Sequence, residues 1–328
     1  MSDFTFMESK KAKLFVNSPN ALEGNDASKC DTASAKFQSE EVGNVDVVAE
    51  EAELITKIRD LVSLLPANNE DDLSYMDCED DLNRVCADLE ASAADPAITL
   101  PMISDSGIFF ETKAEYGKDM VTGFIKLNGT TVGAVANRST LYDEEGNAVE
   151  EFNAEISARG CEKAAKFVEF CDAFNIPVLT LTNAAGFKAT KCSEKKMAAA
   201  AAALTYAFAE ATVPKVNVVV GKAYGSAYVT MNSKGLGADV VYAWPNAKIG
   251  MMGAKLAVKV MYPEADAKEL REKEAAYAEL QNSVASAAKR GYVDSVIEAQ
   301  DTRKYVIGAF EMLYTKREDR PFKKHGTV

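Results

Sequence analysis

This sequence has one histidine, fewer basic than acidic residues and no long apolar run, and each of these features excludes a class of function. His325, close to the C-terminus, is the single histidine. This excludes most catalytic triads and histidine-based acid–base schemes unless a partner supplies the base. The 50 acidic residues outnumber the 37 Lys and Arg, which gives a net charge of −13 and a pI of about 4.8. Such a surface argues against nucleic acid and anionic membranes as partners.

Cysteine patterning and hydropathy point to one cellular setting. The six cysteines form no C-x-x-C pair and have no histidine nearby, so we expect reduced thiols and no metal in this chain. The longest apolar run, 197–204, is far shorter than the roughly 20 residues of a membrane span. The N-terminus also lacks the apolar region of a signal peptide. We therefore expect a cytoplasmic protein.

Several nucleotide-binding and nucleophile motifs are absent as well. The sequence has no G-x-x-x-x-G-K-S/T loop, no strand-linked G-x-G-x-x-G and no G-x-S-x-G elbow. Ser226 has glycine on one side only, and no base is in view. Covalent serine catalysis is therefore not expected.

Strands alternate with helices from about residue 120 onward, a pattern that predicts an α/β layered domain with mostly parallel pairing. Residues 121–127 and 131–136 read as a β-hairpin around Asn128-Gly129. The other predicted elements are a strand at 176–182, helices at 157–174, 195–211 and 302–313, and one long helix over 264–290.

The N-terminal third differs in composition from the rest. Residues 1–66 read as a small appendage, whose apolar residues between 52 and 65 have helical spacing that Pro66 stops. Residues 67–104 read as an acidic linker, because ten Asp or Glu stand against one Arg in 68–96. We predict domain boundaries at 1–66, 67–104 and 105–328.

Two strand–turn–helix corners are the strongest local signal. The strand 216–220 runs into the small-residue turn 221–227, and a second strand precedes another small-residue turn at 250–254. A third strand exits at 183–187. Backbone N–H groups at such corners carry partial positive charge and suit an oxyanion. The residues alone leave open a plainer role, because small residues after strands often serve packing and turns.

Six segments together resemble the C-terminal half of the acyl-CoA carboxyltransferases, the family of propionyl-CoA carboxylase beta and glutaconyl-CoA decarboxylase alpha subunits. They are FCDAFNIPVLTL (170–181), YAFAEATVPKV (206–216), GKAYGSAYVTM (221–231), AWPNAKIGMMGAK (243–255), RGYVDSVI (290–297) and KKHG (323–326). The segment 121–137 resembles the start of that half, and 61–69 resembles the linker before it. By this resemblance, residues 1–66 correspond to the end of the preceding half.

The resemblance implies a crotonase-like fold of layered β-sheets with flanking helices. It also implies a reaction that moves a carboxyl group between biotin on a carrier protein and an acyl-CoA thioester, with enolate and biotin-anion intermediates held by backbone oxyanion holes. The implied partners are a subunit carrying the N-terminal carboxyltransferase half, a biotin carboxyl carrier protein, and a biotin carboxylase or a membrane decarboxylase subunit. An oligomer is expected, and nucleic acid is not.

The family pattern also assigns site residues. Backbone N–H groups of Ser226 and Ala227 would hold the biotin ureido oxygen, and Gly186 and Phe187 would line the same pocket. The remaining positions that would shape it are Ala185, Tyr224, Gly225, Tyr228, Val229, Gly253 and Ala254.

Two departures from the family pattern bear on activity and selectivity. Ser226 stands where glycine is usual, and Val229 replaces an acidic residue linked to acyl-group selection. Two alternatives follow: a non-catalytic scaffold paralogue of such a complex, or a crotonase-type acyl-CoA hydratase or isomerase. The second needs a Glu or Asp in the pocket, and neither corner supplies one.

Overall fold

The computed structural model describes residues 2–69 and 77–318. Its strands are β1 (Phe6–Glu8), β2 (Val47–Ala49), β3 (Phe109–Thr112), β4 (Met120–Leu127), β5 (Thr130–Asn137), β6 (Thr140–Tyr142), β7 (Ala148–Glu151), β8 (Glu155–Ile156), β9 (Val178–Ala184), β10 (Gly186–Phe187), β11 (Lys215–Tyr224), β12 (Val240–Ala243), β13 (Lys248–Gly250) and β14 (Ser295–Val296). Its helices are α1 (Ala35–Phe37), α2 (Glu51–Leu64), α3 (Leu89–Ser92), α4 (Pro96–Ile103), α5 (Ala158–Ala173), α6 (Glu194–Glu210), α7 (Gly225–Thr230), α8 (Ala254–Met261), α9 (Ala267–Tyr277), α10 (Val284–Lys289) and α11 (Thr302–Leu313).

An eight-stranded sheet forms the centre of the molecule, in the order β14-β12-β11-β9-β5-β4-β3, with β13 added beside the end of β11. Within this sheet β5, β9, β11, β12, β13 and β14 run parallel, and β4 is antiparallel to its two neighbours, β3 and β5. The predicted hairpin is confirmed, because Asn128 and Gly129 both take positive φ between β4 and β5. The predicted parallel α/β pairing is therefore correct.

Both faces of this sheet are covered, which explains why its central strands are almost continuously apolar. Alternate residues of β4 point to opposite faces, so that Phe124 joins one apolar cluster and Ile125 joins the other. Helices α5 and α6 cover the first face through residues such as Val168 and Leu204. Helices α4 and α11 cover the second face, together with the fully buried Trp244.

The N-terminal unit is a small two-stranded parallel sheet, β1-β2, with α2 beside it. Helix α2 buries Leu61 and Leu64, but Ile55 and Val62 stay 55% and 67% exposed on it. The predicted helix in this segment is therefore confirmed. About half of its apolar side chains are exposed to solvent in the described structure.

The segment predicted as an acidic linker contains packed structure in the part that is described, 77–104. Helices α3 and α4 lie in it, and Leu89 and Leu100 are buried in the core. Arg303 of α11, itself fully buried, donates hydrogen bonds to the carbonyl oxygen of Ile103 at 2.8 Å and to Asp105 Oδ1 at 2.7 Å. The domain boundaries near 67 and 104 stay a prediction.

The predicted single helix over 264–290 is wrong. The helix ends after Tyr277, a π-turn follows at 278–282, and α10 begins at Val284. Ser283 has extended dihedrals, and its Oγ accepts the Ser286 N–H at 3.3 Å, so it caps a new helix. Along 2–69 and 77–318, no helix has the length and apolar character needed to cross a bilayer.

Candidate functional site

The first corner of the site lies where β11 passes directly into α7. Gly225 makes this turn possible, because its φ of +57° lies in the left-handed region that favours glycine. A Cβ on Gly225 would also come within 3.0 Å of the Met251 carbonyl oxygen. Ser226 lies outside the positive-φ residues, so its side chain does not force an unusual backbone. The serine at this position is therefore compatible with the geometry of the corner.

The start of α7 presents free backbone donors. The first N–H groups of a helix have no partner within the helix, and no side chain caps α7. The N–H groups of Ser226 and Ala227 belong to this first turn and carry its partial positive charge. Ala227 is buried at 1% exposure, whereas Ser226 is exposed. The corner is therefore fixed in the core through Ala227 and accessible to solvent at Ser226.

The second corner lies against the first. Strand β13 runs parallel to the last residues of β11 and pairs Gly250 with Tyr224. Gly253 then caps the start of α8, and a Cβ there would lie 3.6 Å from Cε2 of the Tyr224 ring. The turn at 250–254 therefore packs against the β11–α7 corner.

The third strand exit reaches the same edge of the sheet. Strand β9 pairs with β11 up to Ala184 opposite Ala223, and Ala185 follows immediately. The Ala185 N–H is already engaged, because it donates to the Ala154 carbonyl oxygen at 2.8 Å. Gly186 and Phe187 then form β10, which pairs with β8 rather than with the central sheet.

A cleft of about 830 Å³ opens at these corners. It brings together four of the predicted site residues: Ala185, Tyr224, Gly253 and Ala254. The other predicted residues do not line it: Gly186, Phe187, Gly225, Ser226, Ala227, Tyr228 and Val229. Phe187 packs on the core cluster that contains Ala227, the Tyr228 side chain is buried in another cluster, and Val229 is 46% exposed on the outer side of α7.

An asparagine network that sequence reasoning missed holds the strand ends in register. The Asn183 N–H donates to Asn137 Oδ1 at 2.7 Å, and Asn137 Nδ2 donates back to the Asn183 carbonyl oxygen. Asn183 Oδ1 accepts the Lys222 N–H at 2.9 Å. A Cβ on Gly221 would lie 2.5 Å from this Oδ1, so a side chain there would displace the Asn183 amide. The only sequence signal was an amide residue at the end of each strand.

The phenols near the corners do not supply a base. Burial raises the pKa of Tyr228 to about 12. Burial also raises the pKa of Tyr224, and the neighbouring Asn282 side chain opposes this effect. Both phenols therefore stay protonated at neutral pH. Within the described parts of the chain, no group of three or more His, Cys, Asp or Glu side chains could hold a metal ion.

The sheet, its helical layers and the backbone-lined corners define an α/β protein whose candidate site lies at the ends of parallel strands. The chain belongs to the carboxyl transferase domain family, because the model of that family matches residues 1–328. The crotonase-like α/β fold expected from the sequence is thereby confirmed.

Three relatives show how the chain compares with characterised proteins. It is 37% identical over 99% of its length to the methylmalonyl-CoA carboxyltransferase 12S subunit of Propionibacterium freudenreichii subsp. shermanii, of which it covers 63%. It is 34% identical over its whole length to the methylmalonyl-CoA decarboxylase subunit alpha of Propionigenium modestum, of which it covers 65%. The crystal structure of a transcarboxylase 12S hexamer with methylmalonyl-coenzyme A bound superposes with a TM-score of 0.90 at 35% identity, over 99% of this chain and 64% of that one. The chain thus spans just under two thirds of these relatives.

Proposed function

We propose that this chain is the biotin-facing part of a biotin-dependent acyl-CoA carboxyltransferase or decarboxylase. The observation that carries this proposal is the uncapped first turn of α7, which Gly225 turns toward the edge of the sheet. Family membership supports it, because the relatives include a carboxyltransferase and a decarboxylase subunit.

The residues present fit a ureido group. Its carbonyl oxygen needs convergent N–H donors, and Ser226 and Ala227 offer two from one helix start. Gly225 and Gly253 have no side chain, which lets the two corners lie close together. Biotin would carry the carboxyl group, and this chain would orient the ureido ring and stabilise negative charge on its oxygen. Tyr224, Ala185 and Ala254 would form the walls of the pocket.

We further propose that the acyl-CoA is held largely outside these 328 residues, by a carboxyltransferase half that docks beside the corner. Uncovered apolar side chains support this. Ile55, Ile58 and Val62 lie on α2 and are 55%, 39% and 67% exposed. Exposed apolar stripes of this kind are typical of protein–protein contacts. The carrier protein and an oligomeric assembly belong to the same proposal, as does the cytoplasmic location.

Proline substitution tests the donors directly. Ala227→Pro and Ser226→Pro each remove one N–H from the first turn of α7, where proline is tolerated by a helix. Loss of one oxyanion donor lowers such rates about 10²- to 10³-fold. Ala267→Pro, at the exposed first position of α9, is the matched control because it removes an N–H away from the corner.

The assay is carboxyl transfer between biotin and acyl-CoA by the native complex, isolated from its own cells and with its other chains identified by mass spectrometry. We expect full transfer with Ala267→Pro and loss with the two α7 variants, at melting temperatures that confirm folding. A folded α7 variant with normal transfer would refute the site. A folded wild-type complex that transfers nothing would favour the scaffold alternative.

A further inference from the structure

A group of four lysines lines the cleft, and the proposed transfer chemistry does not use it. We call it the lysine rim; its members are Lys222, Lys248, Lys255 and Lys259. All are exposed, and none forms an ion pair with any residue in 2–69 or 77–318. The carboxylates that line the cleft are Glu274 and Glu279, so its charge is positive in a protein whose net charge is −13.

The rim consists of two like-charge pairs that the backbone forces together. Lys222 and Lys248 are direct neighbours in the parallel pairing of β11 with β13. Lys255 and Lys259 are four residues apart on α8, and therefore share one face of the helix. Like charges in both arrangements repel and cost stability. A ligand with several negative charges would relieve both repulsions at once.

An exposed apolar side chain beside the lysines favours a protein surface over a small anion as the ligand of the rim. Its charges come from two neighbouring strands, roughly 5 Å apart, and from one turn of α8, roughly 5.4 Å long. Leu256 lies within this charged frame, lines the same cleft and is 59% exposed. A mixture of spread charge and exposed apolar surface is what a protein partner contacts.

We propose that the lysine rim docks the acidic face of the biotin carrier domain and steers its biotin arm to the α7 corner. This inference rests on the proposed function, because it names the partner of that same site. Tyr224, which directly precedes α7, lines the same cleft as the rim, so a carrier held on the rim lies beside the corner. Rim charges of this kind act on association and its salt dependence more than on the bound state.

Charge reversal at Lys255 and Lys259 tests the rim. The double variant Lys255→Glu/Lys259→Glu is compared with Lys268→Glu, an exposed lysine on α9 that does not line the cleft. Both are assembled with the acyl-CoA-binding half, and transfer is measured with a biotinylated, acidic carrier domain and with free biotin. We expect the KM for the carrier to rise about tenfold in the double variant, with kcat and the KM for free biotin near wild type. High salt should raise the wild-type KM for the carrier toward the same value.

Direct carrier binding by calorimetry separates this inference from the proposed function. If the wild-type complex binds the carrier, and the double variant binds it more weakly, but neither transfers, the proposed function fails and the docking inference stands. Carrier binding that is unchanged by charge reversal, or reduced equally by Lys268→Glu, overturns the docking inference alone. A higher KM for acyl-CoA in place of the carrier also overturns it, because the rim would then bind the phosphates of coenzyme A.

Discussion

Replacing Gly225 by alanine should damage both folding and transfer, because two independent features of the corner require glycine. The residue has φ +57°, and the left-handed region costs an L-residue about 1–2 kcal/mol. The added Cβ would also stand 3.0 Å from the Met251 carbonyl oxygen, on a backbone that carries the second corner. Relief of that contact must move either the start of α7 or the 250–254 turn.

The Gly146→Ala variant is the comparison that isolates the effect of the close Met251 contact from the effect of positive φ. Gly146 has φ +83° in an exposed turn, and a Cβ there would meet nothing within 4 Å. Gly146→Ala should therefore lose only the backbone term, about 1–2 kcal/mol. Gly225→Ala should lose more than that, about 2–3 kcal/mol in all, since local strain and close packing add. A displaced first turn also misaligns its N–H donors, which we expect to lower transfer about 10²-fold.

Urea unfolding of both variants gives the two free energies, and carboxyl transfer by the assembled complex gives the rate. Gly146→Ala should keep its full rate. If Gly225→Ala were as stable as Gly146→Ala and transferred normally, then the Met251 contact would not hold the corner, and the reasoning from close approach would be refuted.

Two further predictions concern buried ionisable groups. Burial lowers the pKa of Lys163 from 10.5 to about 8. Between these two pH values the unfolded chain binds more protons than the folded one, so the free energy of unfolding rises with pH. In urea titrations at stepped pH, wild type should gain about 3 kcal/mol across this window relative to Lys163→Met. A flat difference would show that Lys163 stays charged. Iodoacetamide should alkylate the exposed Cys30 and Cys192 in the native protein but not Cys161, whose thiol pKa burial raises to about 12. Mass spectrometry of the tryptic peptides, with a urea-unfolded sample as control, would contradict this if Cys161 were labelled natively.

The parts of the fold that the sequence predicted well are those in which local and tertiary signals agree. Asn128-Gly129 favours the positive-φ turn that the β4–β5 hairpin requires, and the flanking apolar runs fit strands covered on both faces. The helix over 302–313 was predicted with its observed bounds. Its apolar residues repeat at helical spacing, and Val306 and Ile307 are buried against the sheet.

The predictions fail where a single side-chain hydrogen bond decides the local structure. The predicted helix over 264–290 ends early because Ser283 caps a new helix, a local hydrogen bond that composition does not show. Lys163 of α5 is buried although it is charged, and it donates to the carbonyl oxygens of Lys113 and Met120, each at 2.8 Å. Such partners come from distant segments, so periodicity within one helix cannot reveal them.

The candidate site was also predicted in part from the sequence. The part that needed the structure bears on whether the β11–α7 corner can hold an oxyanion. The sequence pattern identified the corners, because glycine and alanine that follow a predicted strand can be recognised from the sequence alone. It left the effect of Ser226 open, since a side chain is obstructive only at positive φ. The structure assigns positive φ to Gly225 and not to Ser226, so the departure from the family pattern falls on a position that tolerates a side chain. The N–H of Ser226 therefore keeps its place in the uncapped turn, and this favours the transferase proposal over the scaffold alternative.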